Sequence, residues 1–600
     1  MLKSMLPKSR QALLAAAMVL CATTAQAEIS PKVLDQVPAD SQMFVVVSNL
    51  ADVNSKIAKM AQTTGIAEMS PEMTDVLAQF KAATGIEAGI NDNGAMLFAV
   101  GIDENGPNDN QTYWLVPVND YAAFAEALGG DGNGITSLSL QDTNDTFAKQ
   151  VGNYAVLSPS RVAIENYKAG NASEKYIANI GKAGESYLDK ADAMFYVDAP
   201  VIAETFGPMM TMQMNMALNN PMIAQDPAQK QQMQMGVKLI EEWLTVVEKD
   251  VNGAAIMANL NDNGINFAKA VGYKPDSELS KWLPGGKSSV AALLDKLPAK
   301  NYIVASAFDF KTLNMNLMIE KLADIMKDSD PTMAATYEKI GPLLDASEGQ
   351  ATVMYVPDQM ALMSGNFINQ LTITKGKDAQ NMMGAFRNYI EALGKAGEEL
   401  GDDAAVMTFD TTWTPDALEL DGAQVAQYSM TMNFPPEMAQ QNPMAMMFAQ
   451  GFNGYVAAKG EYLIQTTTLD QAQLTEAIKA TEANTGIGTQ PLVSQARANS
   501  IPANSSADMF VNLGGIAEMG NMFIPMFGMP AIQIPANLSP IAAGMTIEGD
   551  SLLATGTFPT DNITFLVNTA KSFMAQQQMM GGQNMGPMGE PDEAPPAPFY

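Results

Sequence analysis

The sequence predicts an α+β protein of two related halves, each an antiparallel or mixed sheet with strand-to-helix units and packed helices. Three observations predict it. One strand-to-helix phrase occurs four times, longer phrases recur in matching order, and short alternating strands flank turn-forming Asn, Asp and Gly. With 600 residues, 47% of them hydrophobic, the chain is long enough for two cores or one duplicated core.

The first element is a leader. Lys3, Lys8 and Arg10 precede the apolar run ALLAAAMVLCATTA, and Ala25-Gln26-Ala27 closes it. A basic start, an apolar core too short to span a bilayer and an A-x-A end make a secretory signal peptide over residues 1–27. Cleavage is expected between Ala27 and Glu28. Cys21 raises a lipoprotein alternative, but Leu20 stands where that processing needs a small residue. No later run is apolar and long enough to span a membrane, so the mature chain is expected in the periplasm, envelope or extracellular space.

The repeated phrase opens at Val37 (VPADSQMFVVVSNLADVNSKI), Asp189 (DKADAMFYVDAPVIAETF), Leu297 (LPAKNYIVASAFDFKTLNMNL) and Ile501 (IPANSSADMFVNLGGIAEMG). Each copy runs from small or proline residues through a β-prone stretch into a capped helix. NDYAAFAEALGG from Asn119 is answered by MGAFRNYIEALGK from Met383, and YAVLSPSRVAIENYKAG from Tyr154 by YLIQTTTLDQAQLTEAIKA from Tyr462. The hairpins around Asn261-Asp262-Asn263-Gly264 and Glu548-Gly549-Asp550 form a further pair. The halves are therefore expected at 28–285 and 286–573, joined near Pro284-Gly285-Gly286. Residues 574–600, rich in Met, Gln, Gly and Pro, are expected to be a disordered tail.

These phrases resemble an uncharacterised family of exported bacterial envelope proteins, a domain of unknown function with repeated LPAD-type strand-helix units. The resemblance rests on VPADSQMFVVVSNLADV, WLVPVNDYAAFAEALGG and NLNDNGINFAKAVGYKPDSELSKWL. It implies an α+β envelope protein and brings no catalytic residues.

Composition excludes more than it assigns. Histidine is absent and Cys21 leaves with the leader, so the mature chain has no imidazole or thiol for Ser-His-Asp, Cys-His, disulfide or ordinary zinc chemistry. No S-x-x-K or G-x-S-x-G motif is present. The net charge of −31 becomes −34 without the leader's three cations, which repels both nucleic acid and anionic lipid. The clusters GIDENGPNDN and GGDGNG lack the ligand alternation of a calcium loop and read as turns.

The 45 methionines cluster, most densely in FGPMMTMQMNMALNNPMIAQ from Phe206. As a strand, Met210, Met212, Met214 and Met216 would share one face, successive thioethers ~7 Å apart, and could hold copper(I). Few β-branched residues occur there and a strand-to-helix phrase precedes it, so a helix is expected. The leading expectation is a non-catalytic exported protein, without a resident cofactor, presenting Met-rich helical surfaces to a protein partner or an apolar ligand. The alternatives are a copper(I)-binding protein and a carboxylate-based hydrolase working between the halves. Peripheral contact with a bilayer through Phe434–Phe452 and Met519–Met529 is a further expectation.

Overall fold

The structure is a computed structural model and describes residues 29–103, 106–140, 146–218, 227–288, 290–327, 331–358, 368–400, 408–433, 451–524 and 529–581. The leader with its Ala27–Glu28 junction, residues 434–450 and residues 582–600 lie outside the described residues.

The first half contributes β1 (Met43–Val47), β2 (Met96–Asp103), β3 (Gly106–Pro117), β4 (Thr136–Leu138), β5 (Thr146–Val151), β6 (Tyr154–Ser158), β7 (Ala193–Val197), β8 (Val251–Asn261) and β9 (Gly264–Tyr273). The second contributes β10 (Tyr302–Asp309), β11 (Ser347–Tyr355), β12 (Asn369–Gly376), β13 (Thr408–Leu420), β14 (Ala423–Asn433), β15 (Phe452–Lys459), β16 (Tyr462–Thr466), β17 (Ala507–Val511), β18 (Ile541–Ile547) and β19 (Ser551–Pro559). They form one sheet, and every pairing is antiparallel.

The halves meet where β9 pairs with β19, from Gly264 opposite Pro559 to Gly272 opposite Ser551. Outward from this seam the order is β9-β8-β7-β1-β2-β3-β6-β5-β4 on one side. On the other it is β19-β18-β17-β10-β11-β12-β16-β15-β14, with β13 added at the edge. The two halves thus share one topology. The four copies of the phrase become β1, β7, β10 and β17, paired β1 with β7 and β10 with β17, so each half is itself built around two such units.

Local chemistry starts the helices where the sequence predicts. Asn49 caps Leu50–Thr64 by accepting the Asp52 N–H at 3.0 Å, and Asp120 and Asp470 cap the helices behind them in the same way. The expected join has no regular structure, and Gly285 and Gly286 there take φ of +67° and +121°. The last helix runs Thr560–Gly581, so regular structure continues into the stretch expected to be a tail.

One sheet face is covered from end to end. In the first half Phe44, Tyr176 and Tyr196 form an aromatic trio with centroids 4.7–5.1 Å apart, under helix Ser173–Leu188. That helix also lies on the seam: Ser551 Oγ accepts the Ala183 N–H at 3.0 Å. Gly181 interrupts it at φ +70°, where a Cβ would fall 2.3 Å from that of Ser551. In the second half helices Gln471–Glu482 and Pro491–Ser500 cover Phe510, Tyr455 and Ile464. The opposite face is covered toward its ends, by Leu50, Val53, Ile57 and Phe124 over β1–β3, and by Met382, Ile390 and Leu393 of helix Ala379–Leu400 over β15 and β16, and in between Leu283, Leu313 and Met315 pack over Ala507, Met545 and Ile547.

Candidate functional site

Side chains alternate across a strand, and directly paired residues of antiparallel strands share a face. The registers therefore define two neighbouring rows on the incompletely covered face. One runs Ile256, Lys269, Ala554, Met545, Ala507 and Phe308. The next runs Ala258, Phe267, Gly556, Ala543, Met509 and Ser306. Each crosses six strands, roughly 24 Å at the usual inter-strand spacing. Ile256 is 49% exposed, Met509 44%, Phe308 41% and Phe267 37%. Four large apolar side chains thus face solvent on one sheet face, as two pairs, Ile256 with Phe267 and Met509 with Phe308, with the buried Ala507 and Gly556 between them.

Charge sharpens the pattern. The chain carries 65 Asp and Glu in 600 residues, yet none falls on this face from β7 across the seam to β10. Lys269 is the only charged side chain there, and it is exposed. The seam itself is asymmetric. At matching positions the first half supplies Phe267 and Lys269, the second Ala554 and Gly556. The Phe267 ring uses that space, since a Cβ on Gly556 would lie 2.4 Å from its Cζ.

The methionine-rich stretch is helical, within Ala199–Leu218, and packs against helix Pro227–Asp250. A helix turns about 100° per residue, so Met210 and Met214 share one side while Met212 and Met216 lie on another. The structure therefore does not bring the four candidate thioethers together on this helix. Met210, Met212 and Met216 are exposed and Met214 is half-buried. Trp243 of the helical pair meets Trp282 edge-on at 5.9 Å, and Lys321 of the second half ties the pair across by bridging Glu242 at 2.9 Å and Glu278 at 3.7 Å.

Between the halves a cleft of about 410 Å³ opens beside the β8–β9 turn, lined by Asp262, Gln495, Asn499, Thr557 and Asp561. It holds the carboxylates a hydrolase would need, but both are engaged. Asp262 pairs with Lys59, and Asp561 accepts the Ser539 N–H at 2.9 Å and the Asn562 amide at 3.2 Å. A second hollow gathers Glu320, Asp324, Glu338 and Asp345 about Lys327, which pairs with Asp324 at 2.7 Å and Glu338 at 3.6 Å. Among the described residues no group of three or more Asp, Glu, His or Cys side chains is arranged to hold a metal ion. In the GGDGNG cluster Asp131 accepts the Asn133 N–H at 3.0 Å, which holds its carboxyl below the usual range and identifies a turn.

Lys269 and the four exposed apolar residues escaped the sequence reading, although β8 carries their signal. Ala254-Ala255-Ile256-Met257-Ala258 is apolar on both faces, as in a strand covered on both sides. Only one of those faces is covered.

No helix among the described residues is long and apolar enough to cross a membrane. No family model matches the chain, and no curated protein matches it. A solved structure entitled "Structure of crystal form I of TP0453" is similar over 47% of this chain and 98% of that one, at 10% identity and a TM-score of 0.22, and a likeness of that size bears on neither fold nor function here.

Proposed function

We propose that the chain is a non-catalytic, exported protein of the bacterial envelope or exterior that binds an apolar ligand or an apolar partner surface. The observation that carries this reading is the set of exposed apolar side chains Ile256, Phe267, Met509 and Phe308 on one sheet face that is free of carboxylates in an acidic protein. Burial of such side chains is worth roughly 25 cal/mol per Å² removed from water, so an occupant gains by covering them. The leader, with its basic start and Ala25-Gln26-Ala27 end, supports export, as does the resemblance to exported envelope proteins. The lack of imidazole and thiol in the mature chain supports binding over catalysis.

Native mass spectrometry of the mature protein taken from its own host tests the reading, alongside titration with a neutral solvatochromic dye. A co-purifying apolar molecule, and dye binding lost in Ile256→Asp, are expected. A bare chain whose dye signal is the same in that variant would refute the assignment.

A further inference from the structure

The methionines of helix Ala199–Leu218 divide into an inner and an outer set. Ala203, Gly207, Met214 and Leu218 fall along one stripe of the helix. Met214 is half-buried and the other three are buried. Gly207 lies against helix Pro227–Asp250, where a Cβ would sit 3.5 Å from Leu244 Cδ1, so this stripe is the seam of the helical pair. Pro208, Met212 and Met216 follow at four-residue steps on another side and face solvent. Met216 is 58% exposed and Met212 56%, the highest of any methionine among the described residues, against 39% for Met210, which flanks the inner stripe. Met194, on β7 just before this helix, is buried in the first-half core.

We infer that Met212 and Met216 form a reversible oxidation site, converted to sulfoxides by hypohalous acids ahead of the methionines of the inner stripe and the core. The inference goes beyond the binding role proposed above and does not depend on it. With no thiol or imidazole in the mature chain, thioethers are its softest nucleophiles, and exposure decides among them. The sulfur takes chlorine from hypochlorous acid with loss of hydroxide, and water then displaces chloride. Sulfur gives up two electrons and chlorine gains them, and the products are one sulfoxide, one chloride and one proton. The outer side is not part of the seam, so a polar sulfoxide there costs the fold little. The same change at Met214 or Met194 would set a polar group among packed apolar ones. Exposure also admits a methionine sulfoxide reductase, which restores the thioether as a dithiol becomes a disulfide and the oxygen leaves as water.

Limited treatment of the full-length mature chain with hypochlorous acid tests this, the oxidised positions being read by tandem mass spectrometry. No Lys or Arg lies between Lys190 and Lys230, so one tryptic peptide, Ala191–Lys230, carries the outer and inner methionines together with Met194. In the native chain Met212 and Met216 should gain oxygen several-fold faster than Met214 and Met194, with Met210 between them. In the urea-unfolded chain that order should vanish. The urea midpoint should hold while only Met212 and Met216 are oxidised, and methionine sulfoxide reductases of both epimer specificities with dithiothreitol should remove the oxygen. Equal rates at Met212 and Met214, or the same order in urea as in the native chain, would overturn the inference. A midpoint that falls with the first two sulfoxides would overturn it as well, because the outer side would then be packed. Sulfoxides that resist both reductases would overturn its reversibility.

Discussion

Val47 at the end of β1 and Phe308 at the end of β10 occupy matching places in the two halves, each opposite an alanine, Ala193 or Ala507, on the neighbouring unit strand. Val47 is 1% exposed, sealed with Leu50, Val53 and Ile57, whereas Phe308 faces solvent. The helix after β10, Met315–Met326, instead packs chiefly on helices Pro331–Glu338 and Gly341–Ala346, and only its start, with Leu313 and Met315, reaches the sheet at Ala507. The two halves share what the backbone demands, a ladder of hydrogen bonds in one strand order. The helical cover is under no such constraint, so the position is sealed in one half, while in the other Leu313 and Met315 cover Ala507 and leave Phe308 exposed.

The sharpest break of this comparison is a charge at both positions. Val47→Asp should cost about 5 kcal/mol or prevent folding, because it buries an unpaired carboxylate, while Phe308→Asp should stay within about 0.5 kcal/mol and remove dye binding. Urea unfolding of both variants measures the contrast, and equal losses would mean that Phe308 is covered in solution.

The buried ion pairs of the two halves come next. Asp192 takes Lys56 at 2.9 Å, the Leu260 N–H at 3.0 Å and the Asn259 amide at 3.3 Å. Asp508 takes Arg497 at 2.7 Å through one oxygen, and its other oxygen accepts no hydrogen bond. Removing the cation strands a buried carboxylate in each case, at about 3–5 kcal/mol. Arg497→Met should be the larger loss, since Asp192 keeps two donors in Lys56→Met. Denaturant midpoints of the two variants decide the order.

At the seam, Gly556→Val should cost about 1–2 kcal/mol by displacing the Phe267 ring, and Phe267→Ala should relieve much of it. A double-mutant cycle reads this coupling, and additive losses would show that the ring does not occupy that space.

The smallest effect joins the halves at the surface. Lys571 on the last helix donates to Glu68 at 2.7 Å, and that hydrogen bond holds the Glu68 carboxyl below its usual 4.5. A lowered carboxylate stabilises above its unfolded value and loses that contribution as pH falls through the folded one. Hydrogen exchange in Thr560–Gly581 should therefore speed up slightly below pH 4.5, less so at high salt, and Lys571→Met should abolish the dependence.

Much of the architecture was legible in the residues, because its causes are local. Capping by Asn49, Asp120 and Asp470, the turns at Gly264 and Gly549, and the helix through Met210–Met216 each depend on neighbours a few positions away. The recurring phrases fall on matching strands, β1, β7, β10 and β17, for the same reason. Pairing of β9 with β19, and with it one sheet in place of two, joins segments nearly 300 residues apart and leaves no local trace. Nor could alternation in β8 reveal which of its two apolar faces stays open. A strand's pattern records that a side chain can be buried, and only the packing of distant helices, which bury the most area they can reach, decides whether it is.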